Sequence, residues 1–361
     1  MKIFDLKKQF KIFENDINRK VLKIISSGSY ILGDNVKSFE KNVSHYLGSK
    51  YTVSCNSGTD AIVMSLRALD ISNNDEVITT PFTYFATSEA ISLVGARPVF
   101  ADINPHTFNI NPKNIRKLIN KKTKAILSVN LFGQPSELDL ISKIARENNI
   151  YHIEDCAQSF GATYKNKQSG TFGDMGCFSF FPTKNLGCFG DGGLITVKNR
   201  KIYNMLLKLR THGGIKRNQH DLIGYNSRLD EIQAAILDIK LKYINKFLDR
   251  RRKIANIFFN EIKNDRLRLP HITKNAYHTF NQFTLRVKDR PRLQKHLLQN
   301  KIPYGIYYEQ PIYKYKAYKD CVYKPLPMVE KVTKECLSLP IYPEISMNDI
   351  KKICRALNHY E

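Results

Sequence analysis

"YTVSCNSGTDAIVMSLRAL", residues 51–69, decides the fold. Its first five residues, "YTVSC" (51–55), are aromatic, β-branched or small and read as a strand. Ser57-Gly58-Thr59 then turns the chain, and "TDAIVMSLRAL" (59–69) carries apolar residues at helical spacing. Strand, tight turn and helix form half of a repeating α/β unit. The pattern recurs. Strands are predicted at "EVITT" (76–80), "PVFAD" (98–102), "KAILSVN" (124–130), "YHIED" (151–155), "GCFSFF" (176–181) and "GLITV" (193–197). Helices are predicted from about Tyr84 to Leu93 and in "PSELDLISKIARENN" (135–149). This alternation predicts a mostly parallel sheet with helices on both faces, and in such sheets ligands gather at the carboxyl ends of the strands. "LDEIQAAILDIKLKYINKFLDRRRKIANIFFNEI" (229–262) reads as one long helix crossing to a second lobe. The chain is accordingly divided into a large domain at 1–249 and a smaller α/β domain at 250–361.

Composition narrows the class. The chain has 361 residues, 42 % hydrophobic and 11 % aromatic, enough for a folded core. Neither a signal peptide nor a membrane-spanning run is visible, so no membrane role is expected. Seven cysteines, Cys55, Cys156, Cys177, Cys188, Cys321, Cys336 and Cys354, are scattered without a C-x-x-C pair. They fit reduced thiols of a cytoplasmic protein, with no disulfide frame and no metal site. The 57 basic and 33 acidic residues give a formal charge of +24, a level that raises nucleic acid as a partner. The basic residues are dispersed and no nucleic-acid-binding pattern accompanies them. The charge is therefore read as compositional bias that also attracts an anionic substrate.

Three strand ends carry chemistry. In "CNSGTDA" (55–61) a helix begins at Gly58 and Thr59, offering free N–H groups, hydroxyls and a positive helix end to a phosphate, although an ordinary N-cap reads the same way. In "YHIEDCAQSFGA" (151–162) either Glu154 or Asp155 can face the crevice, but not both, because neighbours on a strand point to opposite faces. In "SFFPTKNLGCFGDGG" (179–193) one lysine, Lys184, stands among Phe180, Phe181, Phe189 and glycines, with Ser179 closing the strand. Such surroundings favour a dehydrated amine, and a neutral amine is a nucleophile, although a loop lysine with its head in solvent reads the same way. A phosphate cup, a lone carboxylate and a lone lysine are what pyridoxal phosphate needs for its phosphate, its ring nitrogen and its aldehyde.

The chain also resembles the sugar-nucleotide aminotransferases, pyridoxal-phosphate enzymes of the aspartate-aminotransferase fold type I. The resemblance runs through "SGSYILGDNVKSFE", "NSGTDAI", "DEVITTPFTYFATSEAI", "GARPVFADI", "LFGQPSELD", "IEDCAQSFGA", "GDMGCFSFFPTKNLGCFGDGG", "LRTHGG" and "IGYNSRLDEIQAAIL". It implies a mostly parallel seven-stranded-type sheet and assigns roles. Lys184 becomes the Schiff-base lysine and Asp155 the carboxylate under the pyridine nitrogen. Gln158 becomes a polar contact on the same face of the cofactor. Gly58, Thr59 and Ser179 form the phosphate cup, Tyr84 stacks on the ring, and Asn226 reaches the phosphate of a second subunit. The resemblance thus implies a homodimer with shared active sites. It further implies L-glutamate as donor, a pyridoxamine phosphate intermediate and a nucleotide-linked keto-sugar as acceptor. His220, Tyr307 and Tyr313 are the candidate substrate contacts, with His212 and Tyr308 beside them. Relatives often carry a histidine near Tyr313, so sugar recognition in "GIYYEQPIYKYKAY" (305–318) departs from the usual pattern. The expected acceptor is a dTDP- or UDP-linked 3-keto-6-deoxyhexose, with a 4-keto sugar as alternative, and the product an amino sugar for lipopolysaccharide or another surface glycan. The presence of Lys184 argues against the dehydratase branch, which has histidine there. Lys184 and Asp155 together argue against a non-catalytic regulator that only binds the cofactor.

Overall fold

The computed structural model describes residues 1–216, 218–319 and 323–361; Cys321 lies outside them. Two helices come first, α1 (Leu6–Ser27) and α2 (Asp34–Leu47). Each ends on a glycine in the left-handed region, Gly28 at φ 68° and Gly48 at φ 64°, where a Cβ would be strained. The start of α2 has no local side-chain cap. Glu231, almost 200 residues further on, supplies one. Its carboxylate accepts from the Asn35 and Val36 amides at 3.0 and 2.9 Å and from Asn35 Nδ2 at 2.6 Å. An anion here satisfies orphan N–H groups and opposes the helix dipole.

The repeating unit follows: β1 (Tyr51–Cys55), α3 (Gly58–Ala68), β2 (Glu76–Thr79), α4 (Ala86–Leu93), β3 (Arg97–Phe100), α5 (Pro112–Arg116), β4 (Thr123–Val129), α6 (Leu138–Glu147) and β5 (Tyr151–Asp155). A short pair, β6 (Thr163–Tyr164) and β7 (Lys167–Gln168), precedes β8 (Met175–Ser179) and β9 (Gly193–Val197). The large sheet has seven strands in the order β1-β9-β8-β5-β4-β2-β3. β9 is antiparallel to both neighbours, and the pairings from β8 through β3 are parallel. The sheet is the mostly parallel one the sequence predicts. Apolar runs such as "KAILSV" (124–129) are explained by burial on both faces. Ala125 and Leu127 join one core with Val53, Leu66 and Ile153, while Ile126 joins another with Ile78, Ile141 and Ile144.

After α7 (Arg200–Leu209) the expected single helix at 229–262 is two, α8 (Glu231–Leu241) and α9 (Ile244–Glu261). No proline or glycine marks the break. The Tyr243 amide drops to a tighter bond with the Lys240 carbonyl at 3.0 Å. α8 sends Ala234 and Leu237, and the first turns of α9 send Ile244 and Leu248, into the cluster around Phe39 and Phe180, while the later turns of α9 send Ile254, Ala255 and Phe258 into a separate one. That second core lies beneath the antiparallel sheet β10 (Leu267–Arg268), β12 (Phe283–Val287) and β13 (Cys336–Leu339). Strand β11 (Ala276–Tyr277) returns to pair with β6. Helices α10 (Arg290–Gln299), α11 (Pro327–Glu335) and α12 (Met347–Asn358) complete the chain.

Among the described residues no helix is long and apolar enough to cross a membrane, and no three His, Cys, Asp or Glu side chains form a metal cluster. Cys55, Cys156, Cys177, Cys188, Cys336 and Cys354 are free, buried thiols.

Candidate active site

Register brings the three strand ends to one edge of the sheet. Cys55 on β1 pairs with Gly193 on β9, and Gly193 pairs with Ser179 on β8. Asp155 ends β5 opposite Cys177 of β8. The turn after β1, the lysine loop after β8 and the carboxylate of β5 therefore open onto the same crevice.

The turn is built by close approach. A Cβ on Gly58 would sit 2.6 Å from Ser179 Cβ, and one on Gly193 only 2.1 Å from the Ser57 carbonyl oxygen. Glycine at both places lets α3 start against the end of β8. Ser57 Oγ caps the helix by accepting from the Asp60 amide at 3.0 Å. The N–H groups of Gly58 and Thr59 precede any intrahelical acceptor, so they and the Thr59 and Ser179 hydroxyls can receive an anion. Ser227 steadies this turn, donating to Asp60 Oδ2 at 2.6 Å and accepting from the Asn56 amide at 3.2 Å. Its neighbour Asn226 bridges Thr211 through the backbone and leaves its side chain exposed.

The adjacent carboxylates part as strand geometry requires. Glu154 accepts from the amides of Gly170, Phe172 and Gly173 at 2.7, 2.8 and 2.9 Å and fastens that loop. Asp155 turns the other way. It accepts from Thr87 Oγ1 at 2.8 Å and from the Ala157 amide at 3.1 Å, and Thr87 is in turn bonded to Thr83 at 3.1 Å. Burial raises the Asp155 pKa, while these two donors and nearby Lys184 pull it back. Lys184 is partly buried, and no hydrogen bond holds its Nζ among the described residues. Desolvation pushes its pKa down to about 8, with Asp155 opposing.

The expected aromatic wall around Lys184 is not there. Phe181 and Phe189 are 49 % and 42 % exposed. Only Phe180 is buried, in the cluster beneath the loop, because side chains alternate as β8 ends. Phe189 sits on a turn that Gln233 grips at both its N–H (2.8 Å) and its C=O (3.2 Å).

Gln158 is fixed at both ends of its amide, accepting from the Phe132 N–H at 2.6 Å and donating to the Tyr308 hydroxyl at 3.1 Å. Tyr84 is 64 % exposed, with its ring 6.5 Å from that of Tyr308. Tyr307 packs against Tyr308 at 6.1 Å. Tyr313 is committed otherwise: its hydroxyl donates to Glu330 at 2.9 Å and accepts from the Leu326 amide at 3.2 Å. His220 is exposed and donates from Nδ1 to the His212 carbonyl at 2.9 Å. Sequence reasoning missed Thr83 and Thr87, which orient Asp155, and Phe132, which orients Gln158. Thr83 and Thr87 bracket Tyr84 in "TYFAT", a spacing with many ordinary uses at a helix start.

This donor set fits pyridoxal phosphate. Gly58, Thr59 and Ser179 would hold its phosphate, Asp155 its ring nitrogen and Lys184 its aldehyde carbon.

Comparison with known proteins agrees. Among curated relatives, a dTDP-3-amino-3,6-dideoxy-alpha-D-galactopyranose transaminase of Aneurinibacillus thermoaerophilus is 40 % identical over 99 % of this chain and 98 % of its own. A UDP-2-acetamido-2-deoxy-3-oxo-D-glucuronate aminotransferase of Pseudomonas aeruginosa is 38 % identical over 99 % and 100 %. A Geobacillus stearothermophilus protein named as a pleiotropic regulatory protein is also 38 % identical, over 99 % of both chains. Among solved structures, DesV of S. venezuelae superposes with a TM-score of 0.97 at 32 % identity, covering 99 % of this chain and 97 % of that one. NtdA of Bacillus subtilis, with bound cofactor PMP, superposes with a TM-score of 0.91 at 29 % identity, covering 96 % and 81 %. The model of the DegT/DnrJ/EryC1/StrS aminotransferase family matches residues 11–358, and with the lysine, carboxylate and anion cup at one sheet edge the chain belongs to that family of pyridoxal-phosphate aminotransferases.

Proposed function

We propose that the protein moves an amino group from L-glutamate to a keto-sugar carried on a nucleoside diphosphate, with a dTDP-3-keto-6-deoxyhexose as acceptor and an amino sugar for surface glycans as product. The observation that carries the reading is a lysine whose amine has no hydrogen-bond partner among the described residues, its pKa pushed down to about 8, in the field of the buried Asp155 carboxylate. Bound pyridoxal phosphate supplies an electron sink that lets amine and carbonyl exchange by proton transfer. Lys184 Nζ takes the proton from the donor's α-carbon and returns it to the acceptor in the second half-reaction. A pKa near 8 leaves a useful neutral fraction at physiological pH. Asp155, held by Thr87 and the Ala157 amide, would keep a proton on the ring nitrogen. Tyr84 would stack on the ring, and Gln158 would contact the cofactor from the side of Asp155. Gly58, Thr59 and Ser179 would hold the phosphate, together with Asn226 of a second chain. Tyr307 and Tyr308 line the mouth where a sugar would lie, with Tyr313 and His220 as more remote candidates.

Carbon 3 is favoured because two full-length relatives, 40 % and 38 % identical, are named for an amino or oxo group at that carbon. The regulator name on one relative raises the reading of a cofactor-binding regulator without turnover. Lys184 and Asp155, both in place, favour the enzyme. The test is incubation with L-glutamate and, separately, dTDP- and UDP-linked 3-keto and 4-keto sugars, with the new amine located by NMR. Amination at carbon 3 is expected. Amination only at carbon 4 overturns the regiochemistry and leaves the aminotransferase standing. No amination of any sugar, with no spectral change on adding glutamate, favours the regulator.

A further inference from the structure

One buried amide reaches the residues on both sides of Lys184. Asn281, on the segment leading into β12, is 1 % exposed. Its Nδ2 donates to the Thr183 carbonyl at 3.5 Å and to Asn185 Oδ1 at 3.2 Å. The orientation is dictated by the partners, because a backbone carbonyl can only accept.

The arrangement is costly. Asn185 Nδ2 and Asn281 Oδ1 are left buried without a hydrogen-bond partner among the described residues. Each such atom disfavours folding, whereas an apolar pair of similar shape would incur no such penalty. Packing alone therefore does not explain two asparagines here.

Asn281 is itself rigidly set. The Arg251 guanidinium bonds the Phe280, Asn281 and Ile341 carbonyls at 3.1, 3.5 and 2.8 Å. On either side, the Thr279 and Gln282 amides donate to the Gly133 and Phe132 carbonyls at 3.0 and 3.3 Å. Phe132 is the residue whose N–H orients Gln158. One segment thus references both the lysine loop and the cofactor-facing glutamine.

We propose that Asn281 is a positioning residue for Lys184, acting through Thr183 and Asn185 to hold the amine at the reacting centre. The proposal rests on Lys184 as the reactive amine. Its strongest probe is Asn281→Asp, nearly isosteric, which replaces the donating NH2 group by an oxygen facing two acceptors. In the apoenzyme, lysine reactivity would be read by limiting acylation across a pH series, with the Lys184 peptide quantified by mass spectrometry. Lys198, whose amine bonds the Phe172 carbonyl outside the lysine loop, is the internal reference. Asn281→Asp should raise the titration midpoint of Lys184 while leaving that of Lys198 in place. In the holoenzyme kcat should fall ~10–100-fold with KM for glutamate little changed, the signature of lost alignment. Asn185→Ala, which removes one acceptor, should give a smaller loss in the same direction and serves should Asn281→Asp not fold. Unchanged Lys184 reactivity and kcat in a folded variant overturn the proposal. Activity persisting in Lys184→Ala would instead overturn the reading on which it rests.

Discussion

Asp155 and Glu154 are the same chemistry one residue apart, and their surroundings make them different groups. Glu154 spends both oxygens on three backbone amides. Asp155 has one hydroxyl, one amide and the field of Lys184. Asp155→Asn should keep the fold and lose most activity, because the ring nitrogen loses its anionic partner. It should also move the Lys184 titration below its present value of about 8, since Asp155 is the charge that raises it. The amine would then be neutral at lower pH and yet not catalyse. Glu154→Gln should do the reverse, lowering stability by leaving loop amides poorly paired while sparing the Lys184 titration. Near-normal turnover in Asp155→Asn, measured with glutamate alone as a half-reaction, would mean that the carboxylate is misassigned. Both carboxylates were legible in "YHIED", and strand alternation predicted that they would diverge. Thr87 and Asn281 were not legible, because a threonine in a helix or an asparagine before a strand has many ordinary uses and acts here only through contacts across the fold.

At the scale of elements, β5 shows how a strand buried on both faces handles a polar residue. His152 sits between β4 and α6, its Nε2 bonded to Ser128 Oγ and its Nδ1 to Ser142 Oγ, both at 2.8 Å. Burial, with Lys198 and Arg146 nearby, drives its pKa from 6.5 down to about 3. The folded chain therefore refuses a proton that the unfolded chain accepts, and stability must fall as pH drops below 6.5. Between pH ~7 and ~5.5 this one histidine costs about 1.2 kcal/mol. Urea unfolding at the two pH values should show the loss, and His152→Gln should remove that share of the slope. An unchanged slope in the variant would rule out this source. The break between α8 and α9 is the element that the sequence misjudged. Its periodicity continues through residues 242–243 without a helix breaker, and residues on both sides of the break, Leu241 and Ile244, pack in the same cluster.

At the scale of the whole molecule, several large apolar side chains are exposed. Tyr30, Ile31, Phe181, Ile215 and Ile223 are 47, 45, 49, 64 and 84 % exposed, on segments that flank Asn226 and the lysine loop. A second copy of the chain covering them would suit the expected homodimer. Subunit mixing tests it. Lys184→Ala and Asn226→Asp proteins, each inactive, should regain about a quarter of wild-type activity when mixed, because about half the dimers are mixed and each mixed dimer has one of its two sites intact. No recovery would mean that Asn226 serves the turn of its own chain, the turn that Ser227 already touches.

The sequence by itself determined the alternating α/β architecture, the parallel sheet and the places of Lys184, Asp155 and the glycine turn. These depend on local periodicity and on residue types whose chemistry has few substitutes. Tertiary structure alone decided which strand ends meet, because register across β1, β9, β8 and β5 is a long-range pairing. It also decided that Phe181 and Phe189 stay outside, that Tyr313 is spent on Glu330, and that a remote asparagine clasps the lysine loop. A side chain's partners are set by the packing of distant segments, and no window of sequence contains both sides of such a contact.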